Sequence, residues 1–489
     1  MKRDWGEVRG GLPLLMLLGL GFAPATRAQL ATSSSTGSAS SSSGPAVQAM
    51  PAQITSSTYQ RSVVRQAVAP GVLPVSLDRA IHMGLQYNLG LVLSGVNAGS
   101  ASAQRLQQLQ ALLPTVDASA KESVQQTNLR AEGLSIPGFP AIIGPYGYTD
   151  IRGSAQASLL NISSLQNFLA AKHNFAGARL SVEDAKDLVV LTVGNAYLLC
   201  IADESRVQST QAQVNTSKVS LDQAVANHQA GTAPLLDELR ARVDYQSEQQ
   251  TLITAQNQYE KDKIALARII GLSLEQSYTL SDQAPFQMLD HLDANAAVQQ
   301  ALAHRHDLQA LQQQVEGSKA SRSAATAERY PTLAFSGDYG DIGPTLGHSH
   351  GTFDAVGTAS VPLFEEARLR GDAQAAQAQL EQKQAQLNDL QGQVSADVRN
   401  SILDIETAAK QVVVAHSNVE LATEALSEAQ QRYAAGVADN LAVSQAQASM
   451  AQADDQYVSS LYQHNVAKLS LARALGMAQT NYKDYVGGK

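Results

Sequence analysis

The chain has 489 residues, a formal net charge of −9 and only 5% aromatic residues, whereas Ala, Gln and Ser are abundant. This composition is poor material for a compact globular core and suits long helices that meet through small side chains. Nucleic acid is excluded as a partner, because phosphate binding requires a basic face.

Residues 1–28 have the pattern of a secretory signal. Basic residues precede an apolar run from Leu12 to Ala23, and small residues surround a cleavage site after Ala28. The run is too short to span a bilayer as a helix, so a permanent anchor is only the alternative. Cleavage would remove four basic and two acidic residues and change the net charge from −9 to −11.

Residues 29–74 follow as a linker and an N-terminal belt segment. The part from 29 to 60 is Ser, Ala, Thr and Gly with almost no large apolar residue, so it cannot pack a core and is expected to be disordered. Ser76 is then a suitable N-cap for a helix whose apolar positions include Leu77, Ile81 and Leu85.

Two long stretches carry the same heptad pattern 205 residues apart. The two series are Val193, Cys200, Val207, Val214, Leu221 and His228, and then Val398, Ile405, Val412, Val419, Leu426 and Tyr433. An apolar heptad indicates a long helix packed along a seam, and its repetition in one register predicts an internal duplication. Cys200 is the single cysteine and is expected to be a small buried hydrophobe.

The duplication divides the chain into two repeats, 75–271 and 298–476. The gaps between prolines predict where uninterrupted helices run, since proline inside a helix costs about 3 kcal/mol. Each repeat has a first helix, a long helix and a shorter return helix; the last two are predicted at 165–230 and 235–271, and at 367–435 and 441–476. Residues 272–297 join the repeats, and 477–489 form a C-terminal tail; both are expected to contribute to a belt around the helices.

A β-hairpin is predicted in each repeat, at 115–160 and at 332–361. The arms have roughly ten residues, which is the length that a tilted strand needs to cross a bilayer. Aromatic residues gather there, as in the interfacial girdle of a membrane barrel; the simpler alternative is that aromatics favour strands. They are Phe139, Tyr146, Tyr148, Phe168, Tyr330, Phe335, Tyr339, Phe353 and Phe364.

Four strands cannot close a barrel, and an open sheet edge in lipid leaves backbone N–H and C=O groups unsatisfied. The smallest outer-membrane barrels have eight strands, so the hairpins of several chains must be combined. The narrow heptad seam with small flanking residues likewise suits a sheath of many helices. The sequence therefore predicts an oligomeric tube with a β end in a membrane and an α end outside it.

This layout resembles the TolC-like outer-membrane factor family, the outer membrane efflux proteins that serve as exit ducts of tripartite efflux pumps and type I secretion systems. The resemblance covers about residues 75–480 and rests on the duplication, on the proline after each first helix, and on a tip pattern of aromatic-x-x-Gly. The second copy has Tyr433 and Gly436 in that pattern, whereas the first has His228 in place of the aromatic residue.

The resemblance implies a mainly α fold with β structure, in which duplicated long helical hairpins and two transmembrane β-hairpins per chain trimerise into a 12-stranded β-barrel continued by an α-helical barrel. It implies a passive channel in the cell outer membrane with a long periplasmic extension. The implied partners are two further copies in a homotrimer, a periplasmic adaptor, an inner-membrane pump and outer-membrane lipid.

The helix tips would contact the adaptor. These residues are Gly231, Thr232, Ala233, Pro234, Leu236, Gly436, Val437, Ala438, Asp439, Asn440 and Leu441. Family members often close the tip with rings of aspartate, but Ala442 and Gln445 occupy those positions here. Asp237, Glu238 and Asp439 remain as candidates for an acidic constriction; the alternative is that they are solvated acids favoured by the helix dipole.

No enzyme, cofactor or metal site is expected. The pairs His304/His306 and His348/His350 lack carboxylates or thiols at ligand spacing, and the adjacent acids Glu365–Glu366 and Asp454–Asp455 are expected to be solvated. The alternative function is a periplasmic coiled-coil adaptor or scaffold without a pore. Such a protein would usually carry one helical hairpin, so two hairpins with their own strand pairs favour the duct.

Overall fold

The computed structural model describes residues 56–63, 68, 70–131, 133, 137–282, 286–287 and 293–486. The proposed signal at 1–28 and most of the proposed linker at 29–74 lie outside this part of the chain. Helices dominate and strands are few, so the predicted mainly α fold with β structure is confirmed.

In the described part of the first repeat there are four helices and two long strands. They are α1 (Leu77–Tyr87), α2 (Leu89–Gln110), β2 (Thr115–Asn128), β3 (Ile142–Leu160), α3 (Ile162–Gln229) and α4 (Leu235–Ile270), preceded by the short strand β1 (Leu73–Val75). At ~1.5 Å per residue, the 68 residues of α3 extend over about 100 Å.

The second repeat has the same order of elements. After the short strand β4 (Tyr278–Leu280) come α5 (Ala294–His304), α6 (His306–Ala327), β5 (Thr332–Gly343), β6 (His350–Ser360), α7 (Glu366–Ala434), α8 (Asn440–Ala474) and the terminal helix α9 (Ala478–Val486).

The first helix of each repeat is divided in two, so the prediction of one continuous helix is wrong. The breaks lie at Asn88 and Arg305, where the backbone is extended. Asn88 is fully buried; its Nδ2 donates to the Tyr59 carbonyl at 2.6 Å, and its Oδ1 accepts from the Gly90 N–H at 2.9 Å. A tertiary contact therefore ends α1 and caps α2 without proline.

The long strands form one antiparallel sheet in the order β2-β3-β5-β6, with the two hairpins joined along β3 and β5. Among the described residues, the outer strands β2 and β6 are each paired on one side only. The sheet therefore has two open edges that can accept further strands.

The helices form a layer four helices wide. In the half near the sheet, α3 lies between α2 and α6, and α7 lies beside α6; in the far half, α3 lies between α4 and α8, and α7 lies beside α8. The two longest helices, α3 and α7, run through both halves. The shorter helices α2 and α6 accompany them near the sheet, and α4 and α8 take the equivalent places in the far half.

The main core lies at the middle of α3. Residues from α1, α3, α4, α8 and α9 pack there around the parallel pair of β1 and β4. Tyr197 is fully buried, and its hydroxyl oxygen lies 2.9 Å from the Val75 carbonyl oxygen and 3.1 Å from Asp282 Oδ2, two acceptors for its one proton. This contact fixes the segments before and after the first repeat against its long helix.

One described helix, α3, contains a stretch long and apolar enough to cross a membrane. Most of that stretch is buried inside the chain, as expected for the central helix of a packed layer.

Candidate channel wall and helix tips

The sheet has one polar face. Opposite residues in neighbouring strands point to the same face, so the register gives each row across the sheet. One row contains Asp117, Ser154, Asp338 and Asp354. On the same face, Arg152 donates to Asp150 at 2.7 Å and to Asp338 at 3.0 Å. This face is suited to contact with water.

The opposite face is apolar over most of its length. Its exposed large side chains include Val116, Val124, Ile151, Phe335, Tyr339 and Phe353. Tyr339 and Phe353 form a directly opposed pair, 69% and 80% exposed. Glu122, at the middle of β2, and Asp341, near the loop end of β5, interrupt this face. An apolar face open to solvent in a single chain is suited to contact with lipid.

Helix α7 has two apolar faces. The heptad residues Val398, Ile405 and Val412 are buried inside the chain. Since each residue turns a helix by about 100°, Leu403, Val414 and Leu421 lie within about 20° of one line on the opposite side. They are 60–61% exposed, so α7 carries a second stripe with no partner among the described residues.

Helix α4, at the other side of the layer, has an equivalent exposed stripe. Leu239, Val243, Ile253 and Ile264 fall within an arc of about 80° and are 47–66% exposed. Ala241, Leu266 and Ile270 are buried on the opposite side against the chain's own core. Both lateral surfaces of the layer therefore present apolar side chains to solvent.

The two helix tips have the same turn. Gly231 and Gly436 adopt the left-handed conformation, with φ of +72° and +70°, which glycine permits at little energetic cost. The next residues, Thr232 and Val437, donate their N–H to carbonyls five residues earlier at 2.9 and 3.0 Å. Both turns thus close a long helix by the same C-terminal hydrogen bonding.

Most of the residues proposed to contact an adaptor are accessible. Gly231, Thr232, Pro234, Leu236, Gly436, Val437, Asp439 and Leu441 are exposed, while Ala233 and Ala438 are partly exposed. Asn440 differs, because it is 1% exposed and its Nδ2 donates to the Asp237 carbonyl at 3.5 Å. Asn440 therefore joins the two tips within one chain.

The three candidate acids of the tip have different surroundings. Asp237 is 6% exposed, with Arg240 3.9 Å away. Asp439 is exposed and caps α8 by accepting the Ala442 N–H at 3.4 Å. Of these two acids, only Asp439 is open to solvent in a single chain.

Glu238 forms a cross-link inside the first tip. Its carboxylate lies 2.8 Å from His228 Nδ1 and accepts from Arg242 at 2.7 Å. In the second tip the corresponding positions are the buried residues Tyr433 and Val443. The same seam is therefore polar in one hairpin and apolar in the other, which explains why the first copy has histidine where the second has an aromatic residue.

Other residues noted in the sequence take ordinary structural places. Cys200 is buried in the core, and burial raises the pKa of its thiol. Of the pair predicted to be solvated, Asp455 is exposed as expected and accepts from Arg206 at 2.7 Å, whereas Asp454 is partly buried and accepts from Ser209 at 2.8 Å. Both acids tie α8 to α3.

Glu365 and Glu366 are exposed as expected, and each pairs with an arginine on its own helix. Among the described residues no group of three or more His, Cys, Asp or Glu side chains is placed to hold a metal ion.

The lateral stripes were not found from the sequence, although a signal exists. Their spacings of 4, 7, 10 and 11 residues match a helix, but the stronger heptad on the buried side conceals them. A search for a second row of apolar residues, on the side of α4 and α7 opposite the buried heptad, would have revealed both stripes.

Proteins of known family and structure are similar to this chain in sequence and fold. The family profile described as "Outer membrane efflux protein" matches residues 82–272 and 297–477. The "Probable efflux pump outer membrane protein TtgC" of Pseudomonas putida is 22% identical over 410 residues, covering 82% of this chain and 83% of the relative.

Two solved structures share the fold. The outer membrane protein VceC from Vibrio cholerae is 20% identical, with a TM-score of 0.72 over 82% of this chain and 96% of that protein. The CmeC outer membrane channel of Campylobacter jejuni is 16% identical, with a TM-score of 0.74 over 84% of this chain and 89% of that channel.

Proposed function

The chain belongs to the outer membrane efflux protein family, and from this premise we propose that three copies assemble into one passive duct. The protein acts in efflux as a channel component of the outer membrane. The proposal concerns how the channel is built: a homotrimer with a barrel of 12 strands, a helical tunnel below it, and tips that dock a periplasmic adaptor coupled to an inner-membrane pump.

The open edges of the sheet support this assembly. The described part of each chain provides a sheet of four strands, in which β2 and β6 have no partner on their outer side. In hydrocarbon, unpaired backbone groups cost several kcal/mol each. Joining β6 of one copy to β2 of the next removes both edges, and three copies give the even number of 12 strands.

The two faces of the sheet support an aqueous pore. In such a barrel the row that contains Asp117, Asp338 and Asp354 would face the lumen, and the face with Tyr339 and Phe353 would contact lipid. Arg152 lies between two of the lumen carboxylates. On the lipid face, Arg152 would be destabilising by ~2–4 kcal/mol at the midplane and each carboxylate by less, so this orientation is the favourable one.

The lateral stripes support continuation of the ring through the helices. Val414 and Ile253 lie at nearly the same distance from their own tips, about 20 and 18 residues. A heterologous contact between α7 of one copy and α4 of the next buries both stripes, and such contacts close into a ring when the rotation allows it. Three layers of four helices then form a tunnel of 12.

The tips are the proposed contact with the adaptor. Exposed Leu236, Val437 and Leu441 surround the two glycine turns, and apolar groups exposed at a helix end are typical of a surface that is covered in an assembly. Of the candidate constriction acids, Asp439 is open to solvent, whereas Asp237 and Glu238 lie in contacts within the chain.

The observation that carries the proposal is the open four-stranded sheet with one polar and one apolar face. It is tested with protein extracted by detergent from outer membranes. We expect a heat-sensitive trimer that gives unitary currents in a planar bilayer. A protein that washes off membranes and remains a single non-conducting chain would contradict the duct and favour a scaffold instead.

A further inference from the structure

Two carboxylates face each other inside the first helical hairpin. Asp203 on α3 is 3% exposed, and its Oδ2 has no hydrogen-bond donor in the described part of the chain. The carboxyl group of Asp262, on the facing helix α4, neighbours that of Asp203. The Oδ2 of Asp262 accepts from Gln258 at 2.6 Å. The two acids thus meet without a donor between them unless one carries a proton.

The second hairpin shows that packing does not require these acids. The residues 205 positions later are Ala408 and Ala467, which are 5% and 8% exposed. The equivalent seam of the second repeat is therefore closed by two methyl groups. Asp203 and Asp262 are a feature that distinguishes the first hairpin from its copy.

The surrounding charges do not neutralise the pair. The nearby titratable or charged groups are Cys200 and Arg206 on α3, Asp262 and Lys263 on α4, and Asp455 and Tyr462 on α8. Arg206 is 3.0 Å from Asp203, but it is shared with Asp455 at 2.7 Å. Lys263 is paired with Glu260 at 3.2 Å. Arg206 is thus divided between Asp203 and Asp455.

Burial, and then the neighbouring Asp262 carboxylate, raise the pKa of the Asp203 carboxyl to about 6. Two carboxyl groups in contact cannot both ionise easily, and the proton that they retain belongs to the pair. A shared proton also supplies the donor that the buried oxygen lacks.

We propose that Asp203 and Asp262 form a proton-dependent latch, in which one shared proton holds α3 to α4 and its loss loosens the first hairpin but not the second. The latch lies about 40 Å from the tip along α3, where the two helices run as a pair towards the Gly231 turn.

The direction of the pH effect follows from proton linkage. The closed seam binds the proton more tightly than the opened seam, so closure is favoured at low pH and weakens as the pH rises through about 6. The equilibrium constant for opening is expected to rise about tenfold between pH 5 and pH 8 and to stay constant at higher pH.

The test is hydrogen exchange of the full chain, purified in detergent, at pH 5 and pH 8. Rates around 196–210 and 256–268, divided by intrinsic rates, are compared with those of the equivalent segments 401–415 and 461–473. We expect opening of the first hairpin relative to the second to rise about tenfold with pH. An unchanged ratio would overturn the proposal, and this comparison needs no variant.

The second hairpin also supplies the design of a variant. The double change Asp203→Ala with Asp262→Ala copies Ala408 and Ala467, and it should abolish the pH response. Asp222→Asn, at an exposed position of α3, should retain it. A response that persists in the double variant would refute the latch. Because the contact lies within one chain, failure of the proposed trimer or channel leaves this result unaffected.

Discussion

Replacing Val414 by Glu tests how the helical layer closes. Val414 is 60% exposed in the single chain, so the substitution should leave the fold of one copy intact. In the proposed ring the exposed side chain, roughly 90 Å² of apolar surface, becomes buried against α4 of the neighbour and contributes about 2 kcal/mol per interface. Three equal interfaces give about 6 kcal/mol per trimer, before the cost of burying the new charge.

The assay is the temperature at which the trimer dissociates in detergent, followed on gels of unboiled samples and by light scattering. The control is Val413→Glu. Val413 is 51% exposed on the same helix, but it lies about 80° away from the stripe and should remain in water. We expect the Val414→Glu trimer to dissociate at a temperature far below that of the wild type. The Val413→Glu trimer should dissociate at about the wild-type temperature. Equal stability of both variants would refute the lateral contact.

Three other expectations follow from named contacts. A Cβ at Gly340 would lie 2.5 Å from the Ile151 carbonyl oxygen, so Gly340→Val should prevent assembly of the oligomer. A Cβ at Gly357 would have no atom within 4 Å, so Gly357→Val should still be recovered as a heat-sensitive oligomer. Equal recovery of the two variants would contradict this expectation. Burial lowers the pKa of Lys468 to about 8, so folded-state stability should increase as pH rises from about 8 towards 10.5. Lys468→Met should remove that dependence and stabilise the protein at pH 7 by up to about 3 kcal/mol, and thermal unfolding at pH 7 and pH 10 measures both effects. Replacing the exposed Asp439 by Ala should change cation preference at the tip, whereas the same change at the enclosed Asp237 should have a smaller effect. An unchanged reversal potential in the Asp439 variant would remove it as a constriction.

Repetition and backbone chemistry made much of the helical architecture predictable. The heptads that end at Gly231 and Gly436 identify two long helices and their turns, because only a helix keeps such a seam in register. The strands were recognisable from their length and from their flanking Gly and Pro residues. These signals are local, and each depends on the backbone preferences of a few neighbouring residues.

Features that depend on distant contacts were not predictable from one sequence. The break between α1 and α2 at Asn88 depends on the Tyr59 carbonyl, 29 residues earlier. No proline marks this position in the sequence. The burial of Asp237 depends on the second tip, whose Asn440 reaches it from 203 residues away. Helix-end chemistry alone therefore suggested a solvated acid where the structure has an enclosed one.

Cross-linking α4 to α7 between copies tests the central claim most directly. In a Cys200→Ala background, cysteines at Ile253 and Val414 would be joined by a short bis-maleimide in membranes. We expect a ladder of one, two and three chains that ends at three, because a closed ring has no free lateral surface. No cross-linking, or a ladder that extends beyond three, would contradict closure by three copies.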